Sequence, residues 1–141
     1  METPQAKVGI GVLVLKDGKI LFKKRKTSHG DGEYAFPGGH LEYMESFEEC
    51  AKRETLEEAG IKIKNLKLNY IANIKEYAPK HYLDIGLIAD WDSGEPQVLE
   101  PTKNDNWGWY DIDNLPTPLF KPCVLAIESF KTGIINYYDN L

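Results

Sequence analysis

Three glutamates near the middle of the chain, Glu54, Glu57 and Glu58, have a spacing that could hold a metal ion. At about 100° per residue, positions i, i+3 and i+4 lie on one side of a helix. The apolar stripe that leads into this side consists of Phe47, Cys50 and Ala51. The carboxylates would therefore point inwards, where they repel one another and lose hydration. Mg²⁺ relieves both effects, because it takes oxygen ligands and is commonly held by carboxylates together with substrate phosphates.

A solvated acidic helix face is the alternative interpretation of the same residues. In that case the glutamates would pair with Lys52, Arg53 or Lys62 and carry no chemistry. The residues around the helix favour the metal site, because they extend the pattern in both directions.

Capping signals define the ends of this helix. Ser46, followed three residues later by Glu49, forms a capping box that predicts a start at Phe47. Gly60 can adopt a positive φ after the last turn, so the helix should end there.

A longer pattern contains the three glutamates: G-x5-E-x7-R-E-U-x-E-E-x-G-U, in which U is aliphatic. The fixed positions are filled by Gly39, Glu45, Arg53, Glu54, Glu57, Glu58, Gly60 and Ile61. This pattern is the signature of the Nudix hydrolases, and the chain resembles that family over roughly residues 7 to 130. One aliphatic position holds Thr55, which has the shape of Val, so we expect weaker packing there and unchanged chemistry. The PGGHLE sequence, the Trp-rich segment and the LP–LF run resemble the eukaryotic 8-oxo-dGTP/nucleotide pyrophosphohydrolase branch of the MutT-type enzymes.

The resemblance implies a fold and an activity. The fold would be α+β, with a mixed central β-sheet sandwiched between helices. The activity would be Mg²⁺-dependent hydrolysis of a nucleoside triphosphate, with an oxidised base such as that of 8-oxo-dGTP as one candidate, to nucleoside monophosphate and pyrophosphate. Mn²⁺ would be able to substitute for Mg²⁺, and close relatives imply a homodimer.

Roles for individual residues also follow from the resemblance. The metal ligands would be the Gly39 carbonyl and the carboxylates of Glu54, Glu57, Glu58 and Glu100. Arg53 would pair with Glu45 and orient the helix carboxylates. The general base would be either Glu57 or Glu100, and both alternatives stay open.

The polar connection over residues 92–106 should supply the carboxylate that faces the helix, because long loops in compact domains are usually functional. Glu100 is our first candidate, since apolar Val98 and Leu99 just before it could anchor the backbone against the core. Asp105 is the competing candidate and Glu95 the third.

Substrate-binding residues are expected on both sides of the first glycine-rich loop. Lys23 and Arg25 alternate to the same side of a strand and could meet phosphate or base. By resemblance, the base pocket would be walled by Ala35, Phe36 and the 119–122 segment, which includes Leu119 and Phe120. His40 has no visible partner, so a structural, hydrogen-bonded histidine is the default.

The chain read in order predicts strands and two helices without regular βαβ alternation, which favours an α+β fold. Strands are expected at 7–15, 19–23, 34–41 with a break at 37–39, 61–70 with a continuation to 76, 82–91 and 107–110. The second helix is expected at 123–130, and the tail over 137–141 should be loosely held or pack at an interface.

Composition limits the class of protein. At 141 residues, with 42% hydrophobic and 28% charged residues, we expect one soluble domain over residues 1–141. No apolar run is long enough to cross a membrane, and the start does not resemble a signal peptide. Cys50 and Cys123 read as reduced core residues, which suits a cytoplasmic protein. The net charge of −5 argues against binding nucleic acid polymer and leaves a free nucleotide as the partner.

Two further functions stay open at this point. One is a Nudix hydrolase acting on another nucleoside diphosphate derivative: a pterin triphosphate, NADH, ADP-ribose or a dinucleoside polyphosphate. The other is a nucleotide-sensing Nudix domain without catalysis, which the complete carboxylate set argues against.

Overall fold

One mixed β-sheet with a helix on each face makes up the part of the protein that the computed structural model describes, residues 3–27 and 30–141. The elements are β1 (Lys7–Lys16), β2 (Lys19–Arg25), β3 (Tyr34–Ala35), β4 (Gly38–His40), α1 (Phe47–Ala59), β5 (Lys62–Ile74), β6 (Tyr82–Ser93), β7 (Asn104–Asp111), α2 (Lys121–Thr132) and β8 (Asn136–Tyr138). The described strands run in the order β3-β2-β1-β6-β5-β8, with β4 also paired to β1 and β7 to β2.

Parallel and antiparallel pairs occur together in this sheet. β1 runs parallel to β6 and β5 parallel to β8, whereas the hairpin β1–β2 and the pair β5–β6 are antiparallel. The hairpin turns at Asp17 and Gly18, whose φ angles of 51° and 75° give the twist that a two-residue hairpin needs.

The alternation of side chains along β1 creates a separate core on each face. Val12 and Val14 pack in one cluster with Cys50 and Ala51 of α1. Leu13 points to the other face and joins a cluster that includes Cys123, Ala126 and Ile127 of α2. The sheet is therefore sandwiched between the two helices, and the expected α+β fold is confirmed.

Helix α1 begins and ends at the predicted residues. The Ser46 Oγ accepts a hydrogen bond from the Glu49 N–H at 3.0 Å, and the Glu49 side chain accepts one from the Ser46 N–H at 3.2 Å. Gly60 ends the helix with a φ of 72°. The apolar stripe is shorter than predicted, because Phe47 in the first turn is 45% exposed. Thr55 is buried, and its hydroxyl donates to the Ala51 carbonyl at 2.9 Å, so the helix itself satisfies this polar group.

The C-terminal part differs from the expectation of a loosely held tail or an interface. Residues 136–138 form β8, which pairs with β5. The last residue is also held, because the Leu141 N–H donates to the Asn73 carbonyl and the Leu141 carbonyl accepts from the Lys75 N–H. Pairing with the edge of β5 satisfies backbone groups that would otherwise be open to solvent.

Both cysteines lie in the core, as expected from their apolar neighbours. Cys50 and Cys123 are free thiols, and both are buried. None of the helices that the structure describes is long and apolar enough to span a membrane.

Candidate active site

The three glutamates of α1 differ in exposure. The Glu58 and Glu54 side chains are only 7% and 14% exposed, whereas the Glu57 side chain is 54% exposed. The expectation that all three point inwards is therefore wrong for Glu57. At about 100° per residue, Glu58 lies about 40° from Glu54 around the helix, while Glu57 lies about 60° away in the opposite direction, at the rim.

Glu58 is held by a cation and by a backbone amide. The Lys23 ammonium lies 3.2 and 3.1 Å from its two carboxylate oxygens, and the Gly38 N–H donates to Oε2 at 3.1 Å. Burial raises the pKa of Glu58, while the Lys23 charge and the Gly38 hydrogen bond oppose that rise. Lys23 is itself buried on β2, so this strand brings a positive charge directly to the helix carboxylate.

Arg53 donates hydrogen bonds to the carboxylates of Glu45, Glu54 and Glu57. Its guanidinium grips Glu45 with two bonds, Nε to Oε2 at 2.7 Å and Nη2 to Oε1 at 3.0 Å. Nη1 donates to Glu54 at 2.6 Å and to Glu57 at 3.3 Å, and Nη2 also reaches the His40 carbonyl at 3.1 Å. The hydrogen bonds from Arg53 lower the pKa of Glu45 to about 2. The predicted pairing of Arg53 with Glu45 is present, and it fixes the helix relative to the segment that follows β4.

Two successive glycines in β4, Gly38 and Gly39, leave no room for a side chain, and each packs against a different neighbour. A Cβ on Gly38 would overlap the Ile10 carbonyl of β1, and a Cβ on Gly39 would overlap the Glu54 carboxylate. The backbone at Gly39 therefore lies directly against a helix glutamate, and a side chain at this position would displace the Glu54 carboxylate. Burial raises the pKa of Glu54 against the opposing effect of Arg53, and the negative charges of Glu57 and Glu100 add to the rise.

The loop between β6 and β7 brings Glu100 within electrostatic range of Glu54. Its side chain is 30% exposed and lies 3.6 Å from the Lys103 ammonium. Its carbonyl accepts from the Lys103 and Asn104 N–H groups, which closes a turn. Asp105 instead lies in β7 and pairs with Lys26 at 3.4 Å.

Our sequence-based reason for choosing Glu100 is wrong, and the choice itself stays a prediction. Val98 and Leu99 are 37% and 47% exposed, so they do not anchor the loop in the core. Polar contacts anchor it: the Gln97 N–H donates to the Ala59 carbonyl at the end of α1, and the Trp91 indole N–H donates to the Gly94 carbonyl. The third candidate, Glu95, is exposed.

A cavity of about 230 Å³ opens beside these residues on the α2 face of the sheet. It is lined by Gly9, Ile10, Gly11, Lys23, Arg25, Ala35, Phe36, Pro37, Gly38, Gly39, His40, Tyr70, Ile74, Tyr77, Tyr82, Asp84, Phe120, Pro122 and Cys123. The predicted wall residues Ala35, Phe36 and Phe120 are among them. Leu119 is not among them, because it pairs with Tyr34 and packs against the core.

Lys23 and Arg25 both line this cavity, although a register irregularity between them interrupts the regular alternation of β2. The Arg25 guanidinium lies 4.0 Å from the centre of the Phe120 ring, and it donates to the Thr27 hydroxyl at 2.9 Å. Burial lowers the pKa of Arg25. The cavity therefore has a cationic wall next to an aromatic one, which suits a phosphate and a flat ring.

Several cavity residues were missed in the sequence. Asp84 lies on the cavity floor in β6 and accepts a hydrogen bond from the Tyr70 hydroxyl at 2.5 Å. Burial raises the pKa of Asp84 to about 6. The available signal was a single carboxylate inside the apolar run of β6. His40 was expected to be structural; its ring stacks on Tyr82 at 6.1 Å, and it also lines the cavity.

The donor set around α1 suits a hard divalent cation. Carboxylate oxygens of Glu54 and Glu58 are partly desolvated, and the Gly39 backbone lies against Glu54 without a side chain between them. Within the described ranges, no three His, Cys, Asp or Glu side chains are gathered closely enough to hold an ion. Glu54 is paired with Arg53, and Glu58 with Lys23, so these side chains would have to reorient to share one ion.

Comparison with known proteins decides the family. Residues 5–125 match the profile of the NUDIX domain. The chain belongs to the Nudix hydrolase family. The Nudix fold is shared with a MutT NUDIX hydrolase from Burkholderia pseudomallei, which is 34% identical with a TM-score of 0.83 and covers 89% of this chain and 98% of that one. A UDP-X diphosphatase, 20% identical with a TM-score of 0.76 over 99% of this chain and 70% of that one, shares the fold.

The curated Nudix relatives differ from the branch of the family that the sequence motifs resemble. The NAD-capped RNA hydrolase NudC of Chromobacterium violaceum is 34% identical over 74% of this chain, and that of Shigella dysenteriae is 34% identical over 80%. The matched part covers 38% and 42% of those two proteins, so this chain spans about two fifths of their length. These relatives are bacterial, and they do not support the eukaryotic 8-oxo-dGTP branch.

Proposed function

We propose that this Nudix hydrolase cleaves a nucleoside triphosphate to a nucleoside monophosphate and pyrophosphate, with Mg²⁺ as cofactor. The supporting observation is one cavity that joins two kinds of surface. Gly38, Gly39 and Lys23 line the cavity and contact the helix glutamates, and the same cavity is lined by Phe36 and Phe120, which can pack against a base. A nucleotide bound with its base against these rings would have its phosphates beside the carboxylates.

The roles of the residues follow from their contacts. Glu54, Glu57 and Glu58, the Gly39 carbonyl and Glu100 would hold the metal. Mg²⁺ bound there would neutralise charge on the phosphates and make a bound water more acidic. Arg53 holds Glu45, Glu54 and Glu57 in place through its guanidinium. Arg25 and Lys23 offer positive charge to the phosphates from the cavity wall.

The reaction is a hydrolysis in which water attacks a phosphorus atom and pyrophosphate leaves. The water oxygen forms a bond to the α-phosphorus, and the bond from that phosphorus to the bridging oxygen of pyrophosphate breaks. One proton of the water passes to a carboxylate. Glu57 and Glu100 are both candidates for this base, since Glu57 is at the rim and Glu100 is partly exposed.

A second candidate function is hydrolysis of a nicotinamide dinucleotide, either free NADH or the NAD cap of an RNA. The identity to NudC proteins favours it. The same carboxylates would act on the phosphoanhydride bond, so the two candidates differ in what fills the cavity. A purely sensing role is disfavoured, because the glutamates are retained together with the arginine that orients them.

A substrate panel tests the proposal. The purified protein is incubated with Mg²⁺ and each of the four deoxynucleoside triphosphates, 8-oxo-dGTP, NADH, an NAD-capped RNA, ADP-ribose, a dinucleoside polyphosphate and a pterin triphosphate. Release of pyrophosphate from a nucleoside triphosphate, abolished by chelation and by Glu57→Gln, is the expected result. Turnover of NADH alone would favour the second function, and no turnover of any substrate would contradict both.

The homodimer and the single domain over residues 1–141 stay predictions, and light scattering tests the homodimer.

A further inference from the structure

Asp84 lies in a row of residues that crosses the cavity floor. In the register of the sheet, Gly9 of β1 lies between His40 of β4 and Asp84 of β6. Gly9, His40 and Asp84 all line the cavity, so they share one face of the sheet. The carboxyl therefore faces the cavity on the side of the sheet that α2 covers, within electrostatic reach of Cys123.

One oxygen of the Asp84 carboxyl accepts no hydrogen bond from the described residues. The Tyr70 hydroxyl donates to Oδ2, and among the described residues it is the only hydrogen-bond donor to this carboxyl. Oδ1 lies on the Gly9 side, where a Cβ would be 3.5 Å away, and a Cβ on Gly11 would meet nothing within 4 Å. Glycine at both positions keeps the floor next to Oδ1 open. Asp84 is partly buried, and a carboxylate that loses hydration without gaining hydrogen bonds is destabilised.

We propose that Asp84 is the residue that selects the base, by accepting hydrogen bonds from a purine edge that carries two adjacent N–H donors, as guanine does at N1 and N2. This inference rests on the proposed nucleotide hydrolysis, because it assigns the base-binding end of the same cavity. Tyr70 positions the carboxyl by holding Oδ2, and its ring packs against Gly86, where a Cβ would overlap it.

The chemistry of the other bases separates them from guanine at such a site. Adenine and cytosine present one amino group beside a ring nitrogen acceptor, and that lone pair would face a carboxylate oxygen. Uracil and thymine present one N–H between two carbonyl oxygens. Only the guanine edge offers two donors side by side, and its 8-oxo form keeps both, so Asp84 does not separate oxidised from normal guanine.

Binding of nucleoside monophosphates tests the assignment without requiring any hydrolysis. GMP, IMP, XMP and AMP are titrated calorimetrically into the wild-type protein. IMP lacks the 2-amino group, XMP replaces it with a carbonyl, and AMP replaces the N1 donor with an acceptor. We expect GMP to bind about tenfold more tightly than IMP. The preference for GMP over XMP and over AMP should be larger than the preference over IMP.

Asp84→Asn is then compared with Asp90→Asn, which makes the same change six residues further along β6, where Asp90 accepts from Asn65. Asp84→Asn should reduce the preference for GMP over IMP to about threefold or less, since an amide offers only one acceptor oxygen. Asp90→Asn should leave this preference unchanged.

Equal binding of GMP and AMP by the wild type would overturn the assignment, and so would a preference that survives Asp84→Asn. The wild-type series alone decides the matter if that variant does not fold. A clear GMP preference without turnover of any triphosphate would contradict the proposed function and leave the base assignment standing.

Discussion

The Lys23 ammonium of β2 lies 3.1 and 3.2 Å from the two carboxylate oxygens of Glu58 in α1, across 35 positions of sequence. Both side chains are less than 10% exposed, so the pair is desolvated. A buried ion pair contributes little net stability, but removing one partner leaves an uncompensated charge. Lys23 therefore neutralises a carboxylate that we propose to bind a metal, and it does so from the wall of the cavity.

Replacing Lys23 with Met should destabilise the protein by about 3–5 kcal/mol in a chelating buffer, because Glu58 loses its cationic partner. Mg²⁺ should recover more stability in this variant than in the wild type, since a bound ion would supply the missing charge. Urea unfolding with EDTA and with Mg²⁺ measures both effects. Lys24→Met is the matched control, because Lys24 is the exposed neighbour. Equal stability of the two variants would show that the pair does not act in this way.

Glu57→Gln should leave the fold intact and lower turnover by about two orders of magnitude or more, because the amide keeps the shape of a proposed metal ligand and loses its charge. Circular dichroism checks the fold, and steady-state kinetics at saturating Mg²⁺ measure the loss. Glu48→Gln provides the comparison on the same helix, since Glu48 is exposed and pairs with Lys52. Near-normal turnover of Glu57→Gln would argue against the metal role of this glutamate.

Glu100→Ala should reduce turnover far more than Asp105→Ala or Glu95→Ala. Glutamates at i, i+3 and i+4 cover one side of a cation, and Mg²⁺ requires near-octahedral coordination, so a group from outside the helix must face them. Glu100 is close enough for its charge to influence Glu54, whereas Asp105 is paired with Lys26. Kinetics of the three alanine variants make the comparison. If Asp105→Ala were the inactive variant and Glu100→Ala nearly normal, Asp105 would replace Glu100 in the proposed site.

Gly11→Val should obstruct substrate binding and preserve the fold. A Cβ at Gly11 meets no atom within 4 Å, and the residue lies in β1, where valine is favoured. The new side chain would project into the cavity, so we expect KM to rise about tenfold with a smaller change in kcat. Gly11→Ala should give an intermediate value. A melting curve verifies folding, and an unchanged KM in a folded Val variant would place the substrate elsewhere.

Asp84 should make stability depend on pH. Its pKa is raised from 3.8 to about 6 by burial, so the folded state binds a proton more tightly than the unfolded state does. The stabilising contribution is complete below pH 3.8 and is lost as the pH rises through about 6; it amounts to about 3 kcal/mol. Asp84→Asn should therefore gain stability relative to the wild type as the pH rises from about 4 to about 7.

Denaturant unfolding at several pH values measures this difference between the two proteins. His40 lines the same cavity, and burial lowers its pKa, but its titration is common to both proteins and largely cancels in the difference. Cys123 and Tyr70 titrate far above this range, because burial raises both of their pKa values. A pH-independent difference would contradict the assignment of the shift to Asp84.

The sequence by itself determined the ends of helix α1 and the positions of its glutamates. The Ser46–Glu49 capping box and Gly60 act within a few residues, so their effect on α1 could be predicted without any knowledge of the fold. The glutamate spacing and Arg53 likewise depend on helix periodicity, which is a local property. The hairpin at Asp17 and Gly18 was predictable for the same reason.

The tertiary structure decided which of these groups meet others. The pairing of Lys23 with Glu58, the contact of Gly39 with Glu54 and the place of Asp84 on the cavity floor join residues from different elements. Such contacts depend on strand order and on which face of the sheet each helix covers, and no local pattern encodes either. The pairing of β8 with β5 and the exposure of Glu57 were misjudged for that reason: both are set by packing between elements that are distant in sequence.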